Sequence, residues 1–542
     1  MLLPINLDKN IYISIFFFIF FVLGIYIFPD YGISIDEDNT RIIGFLSLKY
    51  INSIFLPENL PKIDEIINPQ LRAHDEGYAT SGIVFDLPMA FLEFILKIEE
   101  SRQYYLLRHF FNFLIFFVSV YFFFLIIHNR FKSWALGILG SLFLILSPRI
   151  FANSFFNNKD IVFMSLFIIS LYIGIRFIEK KNIKNAIIFS ILSALAINLR
   201  IFALILPTLI LLLYIENISS NKNNYKNLII PLLIFLFLMP CFIILFEPNH
   251  WSNPVGFFSY HIKNLSEHNL GIYNYYLGKF ISTDNPPWHY SLIWIFVTTP
   301  ILYIFFFLTG FFYLCHRTIK RWINIKNNEY FFKIWSENTE LQDLIFLVTF
   351  LIPLIVTTYF GSVSYDGWRH LYFIYPSFLL IAIIGFNFLK NSCLKKWKNF
   401  LYISSIVLVL FTGLWMYNNH PFQYVYFNFL AGKNFNEKFE MDYFGVSNKN
   451  ALEYIISKEN KNVKVHNLST TDLILSREIL DEESKKKIKI VGDISKADYL
   501  TNNFRDWNGN YKPSNFSVPY NFEIMHEIKV NNVSINTIYK KL

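Results

Sequence analysis

The stretch FFNFLIFFVSVYFFFLII, Phe110–Ile127, decides the fold. Only Asn112 and Ser119 interrupt its apolar and aromatic run, and no Asp, Glu, Lys, Arg or His falls inside it. A helix of about 20 apolar residues crosses the hydrocarbon core of a bilayer. The same reading applies to Ile11–Phe28 and Leu401–Met416, blocks too long and unbroken for ordinary core helices. Composition agrees. Of 542 residues, 54% are hydrophobic, 19% aromatic and only 16% charged, where soluble domains carry about 25% charged residues. These features imply a polytopic α-helical membrane protein and exclude a soluble enzyme, a nucleic-acid binder and a disordered scaffold.

Working outward, eleven apolar blocks are expected to span the membrane. They are 11–28, 106–127, 134–147, 161–178, 185–198, 201–215, 227–246, 289–314, 342–360, 370–389 and 399–417. The first follows Lys9 like a signal peptide but ends in Phe28–Pro29–Asp30, without a small-residue cleavage pattern, and is read as an uncleaved helix. Lys and Arg set the orientation. Alternate short loops are basic: Arg130 and Lys132; Lys180, Lys181 and Lys184; Lys222 and Lys226; Arg317, Lys320, Arg321 and Lys326; Lys390, Lys395, Lys396 and Lys398. These belong on the cytoplasmic side, which puts the N-terminus inside and the C-terminus outside. The net charge of +8 therefore records topology and not an acidic partner. Cys241, Cys315 and Cys393 imply neither a disulfide framework nor a thiolate metal site.

On this topology residues 1–417 form the membrane domain, with long outer loops at 29–103 and 247–289. The tail, 418–542, is polar enough for a small extracytoplasmic α/β domain. Within it Val463–Val465, Ile488–Val491 and Asp498–Thr501 read as short strands, and Glu523–Val530 and Val533–Tyr539 as a terminal hairpin turning at Asn531–Asn532.

Ionisable residues at a membrane boundary are costly and are functional candidates by default. Just after the first block stand Asp36, Glu37 and Asp38, which cannot all share one helix face. They read either as a general base with a second acid or metal ligand, or as a solvated loop capping the next helix. The second cluster is SPRIFANSFFNNKD, Ser147–Asp160, an expected outer turn holding Arg149, Lys159 and Asp160. Positive charge there opposes the usual bias and suits an anion such as a lipid phosphate. Arg200 is a further lone outer base. SVSYDGWRHLYFIYP, Ser362–Pro376, sets Asp366, Arg369 and His370 beside Tyr365 and Trp368. An aromatic belt explains the rings but not the Arg–His pair. Asn285–Pro286–Pro287 marks a rigid turn before the eighth block, and Trp251, Trp288 and Trp294 suit the interface or a sugar platform. His250, His261, His268 and His289 lack metal-ligand spacing. Four outer segments offering acids and isolated bases at one depth favour a shared site.

In this order the segments resemble the GT-C superfamily of membrane glycosyltransferases. The nearest likeness is to bacterial protein O-mannosyltransferase and lipid A aminoarabinose transferase relatives, of glycosyltransferase family 39 type. The likeness rests on Asp36 and Glu37, SPRIFANSFFNNKD, PPWHYSLIWIFVTTP, DGWRHLYFIYP, HPFQYVYFNFLAG (His420–Gly432) and FEMDYFGVSNKNALEYI (Phe439–Ile455). It implies sugar transfer from a polyprenyl-phosphate carrier to a lipid, glycan or protein acceptor at the outer face of a bacterial plasma membrane, with inversion. By the same likeness Asp36, or its neighbour Glu37, deprotonates the acceptor. Arg369 and His370, then Arg149, Lys159 and Arg200, stabilise the lipid phosphate. Asp160 binds a divalent cation such as Mg²⁺ or Mn²⁺, or orients a base. The alternatives are a transporter or flippase of lipid-linked glycans, for which inverted repeats and broken mid-membrane helices are expected, and a glycan ligase or polymerase, which needs no acid after the first block.

Overall fold

The computed structural model describes residues 9–67, 82–219, 225–256, 259, 271–325, 335, 337–392, 395–512 and 516–542. The three segments that read as spans from their unbroken apolarity become Lys9–Ile27, Ser101–Phe131 and Lys395–Asn418. Ser101–Phe131 has 31 residues and so runs about 46 Å at 1.5 Å per residue. That exceeds a hydrocarbon core of about 30 Å, so the polar first turns, with Arg108 and His109, stand beyond the apolar layer. Side-chain caps start two neighbouring helices. Ser133 accepts the Leu136 N–H at 3.3 Å ahead of Trp134–Ile145, and Asn182 accepts the Asn185 N–H at 2.9 Å ahead of Ile183–Leu199. Ile301–Ile325 and Tyr375–Ser392 touch backbone to backbone. A Cβ on Gly310 would lie 2.0 Å from the Ile381 carbonyl oxygen, and one on Gly385 would lie 2.0 Å from that of Phe306. Small residues that let helices approach are how apolar spans associate without a hydrophobic drive between them. Stacked rings such as Phe307 on Phe378, at 4.1 Å between centroids, fill the rest.

All eleven expected blocks are helical, but they are not eleven simple spans. Among the described residues eight helices are long and apolar enough to cross a membrane alone. Trp134–Ile145 and Pro148–Phe156 make a ninth only as a pair bent by 69°. Ile183–Leu199 and Ile201–Glu216 are apolar but short. The 289–314 block is two helices, Tyr290–Thr298 and Ile301–Ile325, because Pro300 supplies no N–H to continue the first. The expected outer turn SPRIFANSFFNNKD is also corrected: Pro148–Phe156 is a helix with all nine residues buried. Pro148 stands at its first position, where proline suits a helix start, and Ile150, Phe151, Phe155 and Phe156 are all packed into the core.

One end of the bundle gathers the long loops and the tail. After the first span come helices Ile35–Phe55, Leu60–Ile67 and Ile83–Leu96, and later a two-stranded ribbon, Tyr273–Tyr276 with Lys279–Ser282. The tail contains a five-stranded sheet in the order Ile488–Ile490, Val463–Asn467, Tyr499–Asn502, Val533–Lys541, Phe522–Val530. Its first three strands are parallel, with Val465 opposite Ile490 and Tyr499, and its last three antiparallel. The terminal hairpin turns at Asn531 and Asn532, both left-handed at φ 51° and 64°, as the expected Asn–Asn turn requires. The tail is tied down: Lys449 Nζ donates to the Pro29 and Asp30 carbonyls at 2.7 and 3.0 Å, and Trp415 Nε1 donates to Asn531 at 2.8 Å.

Candidate active site at the tail end of the bundle

The three consecutive acids part company in the first turn of Ile35–Phe55. Glu37 Oε1 accepts the Ser34 N–H at 2.7 Å and its Oε2 meets His109 Nε2 at 3.0 Å, with the side chain 1% exposed. It is a helix cap fixed in place. Asp38 accepts from Tyr105 OH at 3.2 Å. Asp36 points the third way, its side chain 35% exposed, and is paired with Arg369. The capping reading thus falls to Glu37, and Asp36 is the partly exposed acid on the side of Arg369.

Arg369 opens the turn Arg369–Ile374 after Asp366 and Gly367, which are both left-handed at φ 56° and 72°. A non-glycine residue there costs on the order of 1 kcal/mol. Asn274 Oδ1 receives the Asp366 N–H at 3.4 Å and Arg505 bonds its carboxylate, so neighbours hold the conformation. The resulting Arg369 guanidinium is buried and meets three acids: Asp36, Asp366 at 3.1 Å and Asp160 at 3.6 Å. It is sandwiched by the rings of Tyr365, 4.7 Å away, and Phe444, 5.1 Å away. Asp160 starts Asp160–Lys180, where Asn157 Oδ1 accepts its N–H at 2.9 Å, and pairs also with Arg200. Arg505, from the tail, closes the far side against Asp366 at 2.9 Å and against Glu440. Buried charges persist only when paired and hydrogen-bonded, and this network alternates in sign along its length.

Two cations stand apart. Lys159 makes no hydrogen bond or ion pair with the described residues, yet it feels the fields of Asp36, Asp160 and Asp86. Burial, and then the nearby Arg200 charge, push its ammonium below the usual value. Arg149, 2% exposed, donates to Tyr443 OH at 3.2 Å and lies against the rings of Trp294, Phe427 and Tyr443, while its Nε and Nη2 find no acceptor among the described residues. Guanidinium donors of this kind have the geometry to bond an oxyanion. Behind Lys159, Asp86 pairs with Arg108 and accepts from Asn158 at 2.9 Å; burial pushes its carboxyl up to about 6 against those neighbours.

The sequence candidates Asp36, Glu37, Lys159, Asp160, Arg200 and Arg369 therefore share one region, and Arg149 adjoins it through Tyr443 and Tyr372, whose hydroxyls are 3.5 Å apart. His370 sits edge-on to Tyr365, 4.5 Å between centroids. Asp160 does not suit a divalent cation. Its carboxylate is taken by Arg200, Arg369 and Asn157, and no three His, Cys, Asp or Glu side chains among the described residues are grouped to hold a metal. His261 and His268 lie outside the described residues. Sequence reading missed Arg505 and Glu440; an Arg–Asp–Trp triplet in the polar loop Asn502–Asn510 was the available signal.

Residues 88–244 match the model of the dolichyl-phosphate-mannose-protein mannosyltransferase family. The matched region is under half the chain; it contains Arg149, Lys159, Asp160 and Arg200, and precedes Asp366 and Arg369. No curated protein matches the chain.

Proposed function

We propose, from the premise that the chain is a polytopic membrane glycosyltransferase of the GT-C type, that it moves a sugar from a polyprenyl-phosphate carrier to an acceptor hydroxyl, with inversion, and that Asp36 is the base. The carrying observation is one partly exposed carboxylate, Asp36, held by Arg369 and lying within the field of Lys159, which has no ion-pair partner among the described residues. The acceptor hydroxyl gives its proton to Asp36 as its oxygen bonds to the anomeric carbon. The bond from that carbon to the phosphate oxygen breaks on the opposite side, and its electron pair leaves with the polyprenyl phosphate. Negative charge develops on the leaving oxygen, and preorganised cations there lower the barrier.

Lys159 and Arg149 suit that role better than Arg369, whose charge is already matched by three carboxylates. Arg369 instead aims Asp36, and Arg200 does the same for Asp160. Glu37 is committed to Ser34 and His109, which favours Asp36 over it as the base. The acceptor would approach from the tail side, which the basic loops assign to the exterior.

The test is to incubate purified full-length protein with a panel of polyprenyl-phosphate sugars headed by mannose, and to determine the product's anomeric configuration. Transfer with inversion is expected. Retention would contradict the single-displacement reading, and transbilayer movement of the lipid without transfer would favour the transporter.

A further inference from the structure

We infer that Arg505 of the C-terminal tail is a positioning residue of the transferase site, acting on Asp36 through Asp366 and Arg369. The inference rests on the reading of Asp36 as the base, and goes beyond it by making the tail part of the reaction centre and not a cover.

The observations are geometric. Arg505, 2% exposed at its side chain, bonds Asp366 Oδ1 at 2.9 Å with one guanidinium nitrogen and pairs with Glu440 through the other. Asp366 Oδ2 meets Arg369 at 3.1 Å, and Arg369 holds Asp36. Each link joins opposite charges, so a displacement at one end is felt at the other. The loop bearing Arg505 is itself pinned twice. Thr470 N–H and hydroxyl donate to the Arg505 carbonyl at 2.9 and 3.1 Å, and the Tyr273 N–H of the ribbon donates to the Trp507 carbonyl at 3.0 Å. The same ribbon holds the Asp366 segment: Asn274 Nδ2 donates to the Ser364 carbonyl at 2.7 Å, and Ser364 N–H donates to the Thr283 carbonyl at 3.1 Å. Tail, ribbon and the Asp366 loop form one junction around a left-handed aspartate, a conformation uncommon outside glycine.

The charge balance supplies a readout that packing alone would not move. Asp366 is faced by Arg505 from the tail, by Arg369 on its own loop, by Asp36 and Asp160 from two helices, by Glu440, which shares Arg505 with it, and by the Tyr290 and Tyr365 hydroxyls. Burial drives its carboxyl upward, and Arg505 is the largest opposing influence. Removing Arg505 takes away that opposition, so Asp366 takes up a proton at a higher pH and loosens its hold on Arg369.

The experiment measures transfer from polyprenyl-phosphate mannose by the full chain carrying Arg505→Met, Arg505→Lys or Asp36→Asn. For Arg505→Met we expect kcat to fall about 100-fold, the scale of a misplaced catalytic group. Its donor KM should stay near the parent value, and the acidic limb of its pH profile should move to higher pH. Arg505→Lys, which keeps the charge but cannot bridge both acids, should recover part of kcat and the parent's acidic limb. An unchanged kcat and pH profile in Arg505→Met, with Asp36→Asn inactive, would overturn the relay and leave the base assignment standing. An active Asp36→Asn would overturn the base assignment itself. If Arg505→Met does not fold, Arg505→Lys decides: a parental kcat argues against the relay, and a reduced kcat with the parental acidic limb supports it.

Discussion

Both ends of the helical bundle bury an aspartate between two arginines, and they put that arrangement to different uses. At the end opposite the tail, Asp343 is fully buried and accepts from Arg130 at 2.9 and 2.7 Å and from Arg317 at 2.9 Å. Two cations meet one anion, three helices are joined, and the guanidinium groups reach toward solvent. At the tail end Asp160 is equally buried between Arg200 and Arg369. There Arg369 does not stop at Asp160. It continues to Asp36 and Asp366, and Lys159 stands beside them without a partner among the described residues. The first arrangement is closed and structural. The second has one partly exposed carboxylate and a lysine with no ion pair among the described residues, the parts that the proposed proton transfer and anionic leaving group call for.

Breaking the two aspartates in parallel separates these roles. Asp160→Asn and Asp343→Asn should each cost about 3 kcal/mol of stability, because each removes the buried anion that two guanidinium groups share. Transfer per folded molecule should collapse only in Asp160→Asn, as measured by turnover normalised to the monodisperse fraction. A smaller effect is expected at Lys159→Met: donor affinity about tenfold weaker, or ~1.4 kcal/mol, with thermal stability preserved or raised, read by titration with polyprenyl phosphate. Smallest is a change away from both clusters. Glu247 is fully buried, and burial pushes its carboxyl up to about 8 against the opposing influence of Asn249. A folded-state value above the unfolded one means stability is lost as pH rises between about 4.5 and about 8. Glu247→Gln removes that dependence, so its Tm should exceed the parent's at pH 8 and approach it toward pH 5.

How much of this was legible in the sequence follows from which forces act locally. Unbroken apolar runs place the long spans because bilayer thickness sets their length. The terminal hairpin was legible for a similar reason: Asn531–Asn532 tolerates the left-handed turn, and the flanking runs have strand character. What was hidden is tertiary. Nothing in SPRIFANSFFNNKD says whether it turns outward or folds back, since that depends on partners such as Tyr375, whose hydroxyl lies 2.7 Å from Ser147 Oγ. The Asp–Glu–Asp run told that three acids must diverge, but which one meets Arg369 is decided by residues hundreds of positions away. Arg505 and Asp366 are 139 residues apart, so their pairing leaves no local periodicity to read.

Asp36 and Glu37 are adjacent in sequence and oppositely placed, so comparing them tests the account most directly. The measurement is turnover of polyprenyl-phosphate mannose by Asp36→Asn and Glu37→Gln, each normalised to folded protein. Asp36→Asn should lose about 10³-fold or more, the scale of a general base, without loss of stability. Glu37→Gln should unfold more readily, having weakened the Ser34 and His109 bonds, yet keep most of its turnover per folded molecule. Comparable turnover in Asp36→Asn and the parent, or loss confined to Glu37→Gln, would contradict the account.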